Sequence, residues 1–285
     1  WVQDSTSMFK NVVFENNQVL FDTRGGGGMY SWNSSPSLNK CSFAGNTSDS
    51  GGAFKAKGGG TPTLRRCRFV NNQSTAEGGA ISTQSSAPTF QECVFEDNTA
   101  VTHGSSASII GDGTIFHNCY FTDNSTDITG GAIRYYEASG TVDSCDFFNN
   151  SADLGGGAIV VNNSTTIVSN SNFQENSGGA GGGAIDIVGT STVSVMYSTF
   201  CGNTTTQIDG NWDDLGDNTM TSSCNSVCVG DIDADGEVGV MDAITLIAEF
   251  GTCNGVDSCF SDQDNNGEVD IADLLLVMSN WGFCD

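Results

Sequence analysis

Two segments near the end of the sequence have the residue types and spacing of a cation-binding loop. They read DIDADGEVGVMD from Asp231 and DQDNNGEVDIAD from Asp262. Oxygen-bearing side chains stand at positions 1, 3, 5 and 12, and the glycine at position 6 allows a sharp turn. A hard cation such as Ca²⁺ needs about six to eight oxygen ligands. We therefore expect each loop to wrap round one calcium ion.

The expected ligands follow from the positions in such an EF-hand-type loop. Position 7 supplies a main-chain carbonyl, and position 9 is Gly239 in the first loop, where water would serve, and Asp270 in the second. Position 12 is aspartate in both loops, which is shorter than the usual bidentate glutamate. The predicted metal-binding residues are Asp231, Asp233, Asp235, Glu237, Asp242, Asp262, Asp264, Asn266, Glu268, Asp270 and Asp273.

The two loops belong to a duplicated unit. Cys228 and Cys259 begin the two copies, and equivalent residues are 31 positions apart throughout. Each loop runs into a short apolar segment, MDAITLIAEFG or IADLLLVMSNWG, that we predict to be helical. A calcium loop with one following helix, duplicated and with Asp at position 12, resembles a type I dockerin over about 228–284. The resemblance implies a cohesin-like protein partner bound through loop positions 10 and 11, here Val240-Met241 and Ile271-Ala272.

The cysteines of this region allow two pairings. The duplication permits Cys228–Cys253 with Cys259–Cys284, or Cys228–Cys284 with Cys253–Cys259. The resemblance to dockerins, in which the two ends of the domain meet, implies the second set. We also predict a Cys201–Cys224 bridge that closes the tail of the preceding region.

The chain is strongly acidic. Its 285 residues include 34 Asp plus Glu against 9 Lys plus Arg, for a formal net charge of −25, and Arg134 is the last basic residue. Such a surface repels phosphate backbones and anionic lipid, so we expect no nucleic-acid partner. No run of about 18 apolar residues is present, so we expect no transmembrane segment. Eleven cysteines in a Gly-, Ser-, Thr- and Asn-rich chain indicate a secreted, extracellular or cell-surface protein rather than a reduced cytosolic one.

A different repeat precedes the acidic loops. The phrase Cys-x-Phe-x-x-Asn recurs, and its phenylalanines, spaced by 26 or 27 residues, are Phe43, Phe69, Phe95, Phe121, Phe147, Phe173 and Phe200. A Gly-Gly-Ala-Ile phrase and a single apolar residue recur between them with the same period. The segments are short, β-branched or aromatic and without helical periodicity, which is typical of a β-solenoid.

We therefore predict a mainly β protein with three regions. Residues 1–203 form a right-handed parallel β-helix with three strands per turn, 204–227 form a linker or C-terminal cap of the solenoid, and 228–285 form a small α-helical, dockerin-like calcium-binding domain.

Stacked turns should place equivalent residues over one another. The cysteines at 41, 67, 93, 119 and 145 are expected to form a buried column of free thiols, because five is odd and the column continues with Ser171 and Ser198. The phenylalanines are expected to stack ring on ring. The asparagines are expected to form a hydrogen-bonded corner ladder, comprising Asn46, Asn72, Asn98, Asn124, Asn150, Asn176 and Asn203.

The alternating GGAI and FxxN phrases resemble the repeats of polymorphic outer-membrane proteins over roughly residues 10–203. That resemblance implies an extracellular β-helical adhesin.

The two resemblances together favour a structural or adhesive protein, without catalytic residues, that attaches through its C-terminal domain. The partner would be cohesin-like or a neighbouring subunit, and the second case would build a homopolymeric filament. Contact with a cell surface or a polysaccharide is a further expectation. The alternative is a polysaccharide-binding or pectate-lyase-like β-helix that carries a dockerin. Its base would have to come from the only basic cluster, Arg65, Arg66 and Arg68.

Overall fold

The computed structural model describes residues 1–19, 25–224, 230, 232, 237–252, 261–262 and 268–283. The chain divides into two compact units, Trp1–Ser222 and Ser223–Asp285, named here the solenoid unit and the C-terminal unit. The solenoid unit is a parallel β-solenoid of about eight turns, which confirms the predicted mainly β fold.

One turn of the solenoid equals one sequence repeat. Phe43 pairs with Phe69, and Phe69 pairs with Phe95, in parallel neighbouring strands. Equivalent residues therefore lie one strand spacing apart, about 4.8 Å. The strands, numbered in chain order, fall into four columns.

The first two columns belong to one sheet of sixteen strands. The first column contains β1 (Val2–Gln3), β4 (Met29–Trp32), β8 (Phe54–Lys57), β12 (Ile81–Gln84), β22 (Ile159–Asn162), β26 (Gly182–Val188) and β29 (Thr206–Asp209). The second contains β2 (Met8–Lys10), β5 (Ser37–Asn39), β9 (Thr63–Arg65), β13 (Thr89–Gln91), β23 (Thr165–Ser169), β27 (Thr192–Met196) and β30 (Asp213–Asp214). Two long strands run through both columns, β16 (Ala107–His117) and β19 (Ile133–Asp143).

The third and fourth columns are separate sheets of nine and six strands. The third contains β3 (Val13–Glu15), β6 (Ser42–Ala44), β10 (Arg68–Val70), β14 (Val94–Glu96), β17 (Tyr120–Thr122), β20 (Asp146–Phe148), β24 (Asn172–Gln174), β28 (Thr199–Cys201) and β31 (Thr219–Thr221). The fourth contains β7 (Thr47–Ser50), β11 (Gln73–Glu77), β15 (Thr99–Ala100), β18 (Ser125–Thr126), β21 (Ser151–Ala152) and β25 (Ser177–Gly178).

The fourth column corrects the prediction of three strands per turn. Its inward residues are small, for example Ser48, Ser74 and Ala100, and all three are buried. Because these strands bury no large apolar side chain, the hydrophobic pattern that reveals the other three columns does not mark them.

The predicted phenylalanine column is present and extends one turn further back, to Phe14. Successive rings from Phe14 to Phe200 lie 4.5–4.9 Å apart with interplanar angles of 1–9°. A second short stack, Phe90 on Phe116, meets the column edge to face. The interior is thus filled by side chains along its length.

The predicted asparagine ladder is also present, and its amides are fully used. Each Nδ2 donates to the Oδ1 of the next asparagine at 2.8–3.0 Å, and the ladder begins one turn early, at Asn17. The same Nδ2 donates its second proton to a phenylalanine carbonyl of the preceding turn, as Asn98 does to Phe69 O at 3.0 Å. Each Oδ1 also accepts a main-chain N–H, as that of Asn98 does from Asn72. The ladder therefore supplies hydrogen-bond partners for the polar groups that are buried at this corner.

The five cysteines of the solenoid column are buried free thiols, as predicted. Main-chain N–H groups donate along the column, from Cys119 to Cys145 Sγ and from Cys145 to Ser171 Oγ. Burial raises the pKa of the Cys93 and Cys119 thiols well above the ordinary value. These thiols stay protonated and act as small apolar residues with a weak donor.

The stretch predicted to be a linker or cap adds a last, shorter turn. Its strands β29, β30 and β31 pair in parallel with β26, β27 and β28. The sequence of this turn is polar and aperiodic, but main-chain pairing does not require an apolar pattern. The parallel pairing therefore continues to Thr221, beyond the predicted end at residue 203.

One position of the solenoid gives a direct test of backbone strain. Tyr197 has φ +50° and an exposed side chain, and its equivalent Asn118 has φ +52°. Asparagine tolerates this left-handed region better than tyrosine does. We expect Tyr197→Asn to raise the free energy of unfolding by about 0.5–1 kcal/mol and Asn118→Tyr to lower it by a similar amount. Chemical denaturation measures both, and equal shifts of the same sign would contradict the argument.

Candidate functional site

The C-terminal unit has two equivalent halves. Helix α1 (Val240–Ala248) and helix α2 (Ile271–Ser279) each follow a predicted calcium loop. The short strands are β32 (Glu237–Val238), β33 (Gly251–Thr252), β34 (Glu268–Val269) and β35 (Gly282–Phe283). They pair antiparallel across the halves, β32 with β35 and β33 with β34. The short strands of each half therefore pair with those of the other half.

The two position-12 aspartates occupy equivalent buried places. Asp242 and Asp273 lie in the first turn of α1 and α2 and are 1% and 0% exposed. Asp242 Oδ2 accepts the N–H of Gly239 at 2.7 Å, and Asp273 Oδ2 accepts that of Asp270 at 2.8 Å. Asp242 Oδ1 also accepts the N–H of Ile232, a residue of the first loop, at 2.6 Å. These bonds hold each carboxylate between the helix and its loop.

The structure describes some of the other predicted calcium ligands. Asp270 caps α2 and accepts the N–H of Ala272 at 2.6 Å, Glu268 has an exposed side chain and Asp262 is half-buried. The side chain of Glu237 and the whole of Asp231, Asp233, Asp235, Asp264 and Asn266 lie outside the described residues. Within the described ranges, no three His, Cys, Asp or Glu side chains come together as a metal site.

The two helices pack on a shared apolar core. Among the described residues of the C-terminal unit, it contains the buried Val238, Leu246, Val269 and Val277, with Ile232, Ala243 and Leu274 packed at its edge.

Both helices present a second, exposed apolar face. Five exposed apolar side chains lie on α1 or just beyond its end: Val240, Met241, Ile244, Ile247 and Phe250. On α2 they are Ile271, Leu275, Met278 and Trp281, which stand at equivalent positions 31 residues later. All nine are 48–65% exposed. The sequence predicted apolar helices, but only the structure shows which apolar residues point outward.

The basic cluster of the solenoid is paired with acids of the next turn. Arg65 and Arg66 both contact the Glu92 carboxylate, at 2.9 and 2.5 Å, and Arg68 pairs with Glu96. These ion pairs lower the pKa of Glu92, with Arg66 contributing most. The cluster is thus a set of surface ion pairs between adjacent turns.

Sequence reasoning missed a histidine–aspartate contact across turns. His117 Nδ1 lies 2.8 Å from Asp143 Oδ2, while Ser169 Oγ and Asn170 Nδ2 both donate to Asp143 Oδ1. Hydrogen bonds, from Asn170 first and then Ser169 and His117, lower the pKa of Asp143. The hydroxyl bonds the carboxylate rather than the imidazole, so this arrangement differs from a nucleophilic triad. The equal 26-residue spacing of His117, Asp143 and Ser169 was the signal that could have revealed it.

The structure tests one of the three predicted disulfides. Cys201 and Cys224 are both disulfide-bonded, in agreement with the bridge predicted for them. The two pairs predicted among Cys228, Cys253, Cys259 and Cys284 lie outside the described residues. No helix in the described ranges is long and apolar enough to cross a membrane.

Comparison with known families gives a match over most of the chain. A family model described as "Right handed beta helix region" matches residues 1–136 and 79–229, which together cover most of the chain. Searches of curated proteins and of solved structures find no match.

Proposed function

Because this chain belongs to the right-handed beta helix region family, we propose that it is a secreted or cell-surface structural protein. In this proposal the solenoid is a rigid scaffold, and the C-terminal unit is a calcium-dependent, dockerin-like module that attaches it to a protein partner.

The observation that carries the proposal is the pair of matching apolar faces on α1 and α2. Soluble proteins rarely expose contiguous apolar patches of this kind unless the patch binds something. The dockerin resemblance places partner contacts at Val240-Met241 and Ile271-Ala272, and three of these four side chains are exposed. A protein partner with an apolar surface fits these faces best.

Calcium would have a structural role in this module. We propose two Ca²⁺ ions, held by the eleven oxygen-bearing residues predicted from the two loops. The buried Asp242 and Asp273 support the assignment, because each orients a carboxylate between loop and helix. The ions would fix the loops and so hold the two apolar faces in one arrangement.

The solenoid interior supports a scaffold role. Stacked rings and a satisfied amide ladder run through nearly every turn, and such regularity stiffens a repeat protein. The alternative, a polysaccharide-binding or polysaccharide-degrading β-helix, receives less support. The arginines it would use as a base are bound to Glu92 and Glu96.

The proposal predicts that attachment depends on the apolar faces. Ile244 and Leu275 are equivalent and exposed, so replacing both with serine should not disturb the fold. Burial of each side chain in an interface contributes about 1.5–3 kcal/mol, so the double variant should bind about 100-fold more weakly or worse. The assay is binding of labelled full chain to intact cells of the organism that produces it, with calcium and with chelator.

The matched control is Ala248→Ser, because serine already stands at the equivalent position 279. The control should bind as the unchanged chain does, and chelator should abolish binding of both. Unchanged cell binding by the double variant would refute the attachment proposal. Sedimentation of the purified chain separates the partner classes: calcium-dependent growth in mass indicates a neighbouring subunit and a filament, and a constant mass indicates a cohesin-like protein.

A further inference from the structure

A largely buried aspartate of the solenoid has no side-chain partner in the described part of the chain. Asp186 lies on β26 and keeps only 8% of its surface exposed. Its carboxylate forms neither a hydrogen bond nor an ion pair with any described residue. An uncompensated buried charge is costly, so buried charges are normally paired or bind a metal ion.

The charged residues of earlier turns in the same outward position of the first column are compensated by acids. Arg134 Nη1 lies 3.1 Å from Glu77 Oε2, and Lys55 is attracted by Asp49 and Glu77. Asp186 lies two turns beyond Arg134, and no Lys or Arg follows Arg134 in the sequence. The C-terminal turns therefore contain no basic side chain of their own that could neutralise Asp186.

A second acidic residue and the backbone of two glycines surround Asp186. Asp209 stands beside it in the next turn. Burial raises the pKa of Asp186, and the negative charge of Asp209 raises it further. Gly155 and Gly181 flank the carboxylate so closely that a Cβ on either would come within 2.5–2.6 Å of it. The carboxylate thus lies in a slot lined by glycine backbone, with a second carboxylate at its side.

We propose that Asp186 and Asp209 bind a divalent cation of the calcium class at the C-terminal end of the solenoid. Two carboxylates supply hard oxygen ligands, and main-chain carbonyls and water complete the shell such an ion requires. This site is separate from the two loops of the C-terminal unit.

The ion would connect the last two turns. The pairing of β26 with β29 shifts register between Gly182 and Ile185, and only three residue pairs are in register there, against four between β22 and β26. A cation shared by Asp186 and Asp209 would tie the two strands together. Its binding would then stabilise the end of the solenoid.

The test compares the full chain with Asp186→Asn and with the control Asp153→Asn, an exposed acid one turn earlier. Calorimetric titration with calcium should show one ion fewer for Asp186→Asn than for the unchanged chain and the control. Calcium should raise the unfolding midpoint of the solenoid in the unchanged chain and in Asp153→Asn, but not in Asp186→Asn. In chelator, Asp186→Asn should unfold a few degrees above the unchanged chain, because it removes an unpaired buried charge.

A difference of one bound ion is expected whether or not the C-terminal loops bind calcium, so the outcome is independent of the proposed function. Asp209→Asn, at an exposed position, should weaken the same site about tenfold while leaving the fold intact. Equal stoichiometry and equal calcium-induced shifts in Asp186→Asn and in the unchanged chain would overturn the proposal.

Discussion

Replacing Asn98 with alanine is expected to lower the free energy of unfolding of the solenoid by about 2–6 kcal/mol. The substitution leaves two buried donors without a partner, the Asn72 main-chain N–H and one Asn72 amide proton, and it removes a hydrogen bond to the Phe69 carbonyl. Each orphaned group costs about 1–3 kcal/mol, because water does not reach the fully buried corner. Thermal unfolding should show a midpoint lower by on the order of 10 °C.

The neighbouring strand offers a matched control. Gln73 follows Asn72 directly and has an exposed side chain, so Gln73→Ala should change the free energy of unfolding by less than about 0.5 kcal/mol. Asn98→Asp keeps the volume but removes the donors, and it should also destabilise the solenoid. If Asn98→Ala unfolds at the same midpoint as Gln73→Ala, the ladder does not stabilise the fold as argued.

Removal of calcium is expected to unfold the C-terminal unit while the solenoid stays folded. Within the described ranges the unit buries four apolar residues, and the buried carboxylates of Asp242 and Asp273 would lose the cations that they are proposed to bind. Each site contributes about 2.7 kcal/mol when free calcium is 100 times Kd, so two sites together contribute about 5 kcal/mol. Hydrogen exchange of the full chain should therefore lose at least about a thousandfold protection in α1 and α2 on chelation.

Two substitutions separate ligand chemistry from general charge effects. Asp273→Ala removes a position-12 carboxylate and should abolish calcium-dependent protection of α2. Glu268→Gln changes a residue that contributes only its main-chain carbonyl at position 7, so it should retain that protection. Protection of α1 and α2 that is equal in calcium and in chelator would contradict the assignment of both loops as calcium sites.

Much of the solenoid follows from the repeat. In a parallel stack with one repeat per turn, residues 26 positions apart must touch, so columns of Phe, Cys and Asn can be predicted without coordinates. Two columns start one turn earlier than predicted, at Phe14 and Asn17, where the sequence phrase is incomplete. The candidate site is less predictable: the loop spacing identifies ligands by position, but it does not state which apolar helix residues stay exposed.

The sequence by itself therefore determined the contacts between equivalent residues: the stacked rings, the thiol column and the amide ladder. Only the tertiary structure decided the contacts between unlike positions. It placed the asparagine amides on phenylalanine carbonyls of the previous turn, added a fourth strand of small residues, buried Asp186 between two glycines and turned the apolar faces of α1 and α2 outward. The physical reason is that periodicity fixes which residues stack, whereas the path of the chain round each turn fixes which different residues meet.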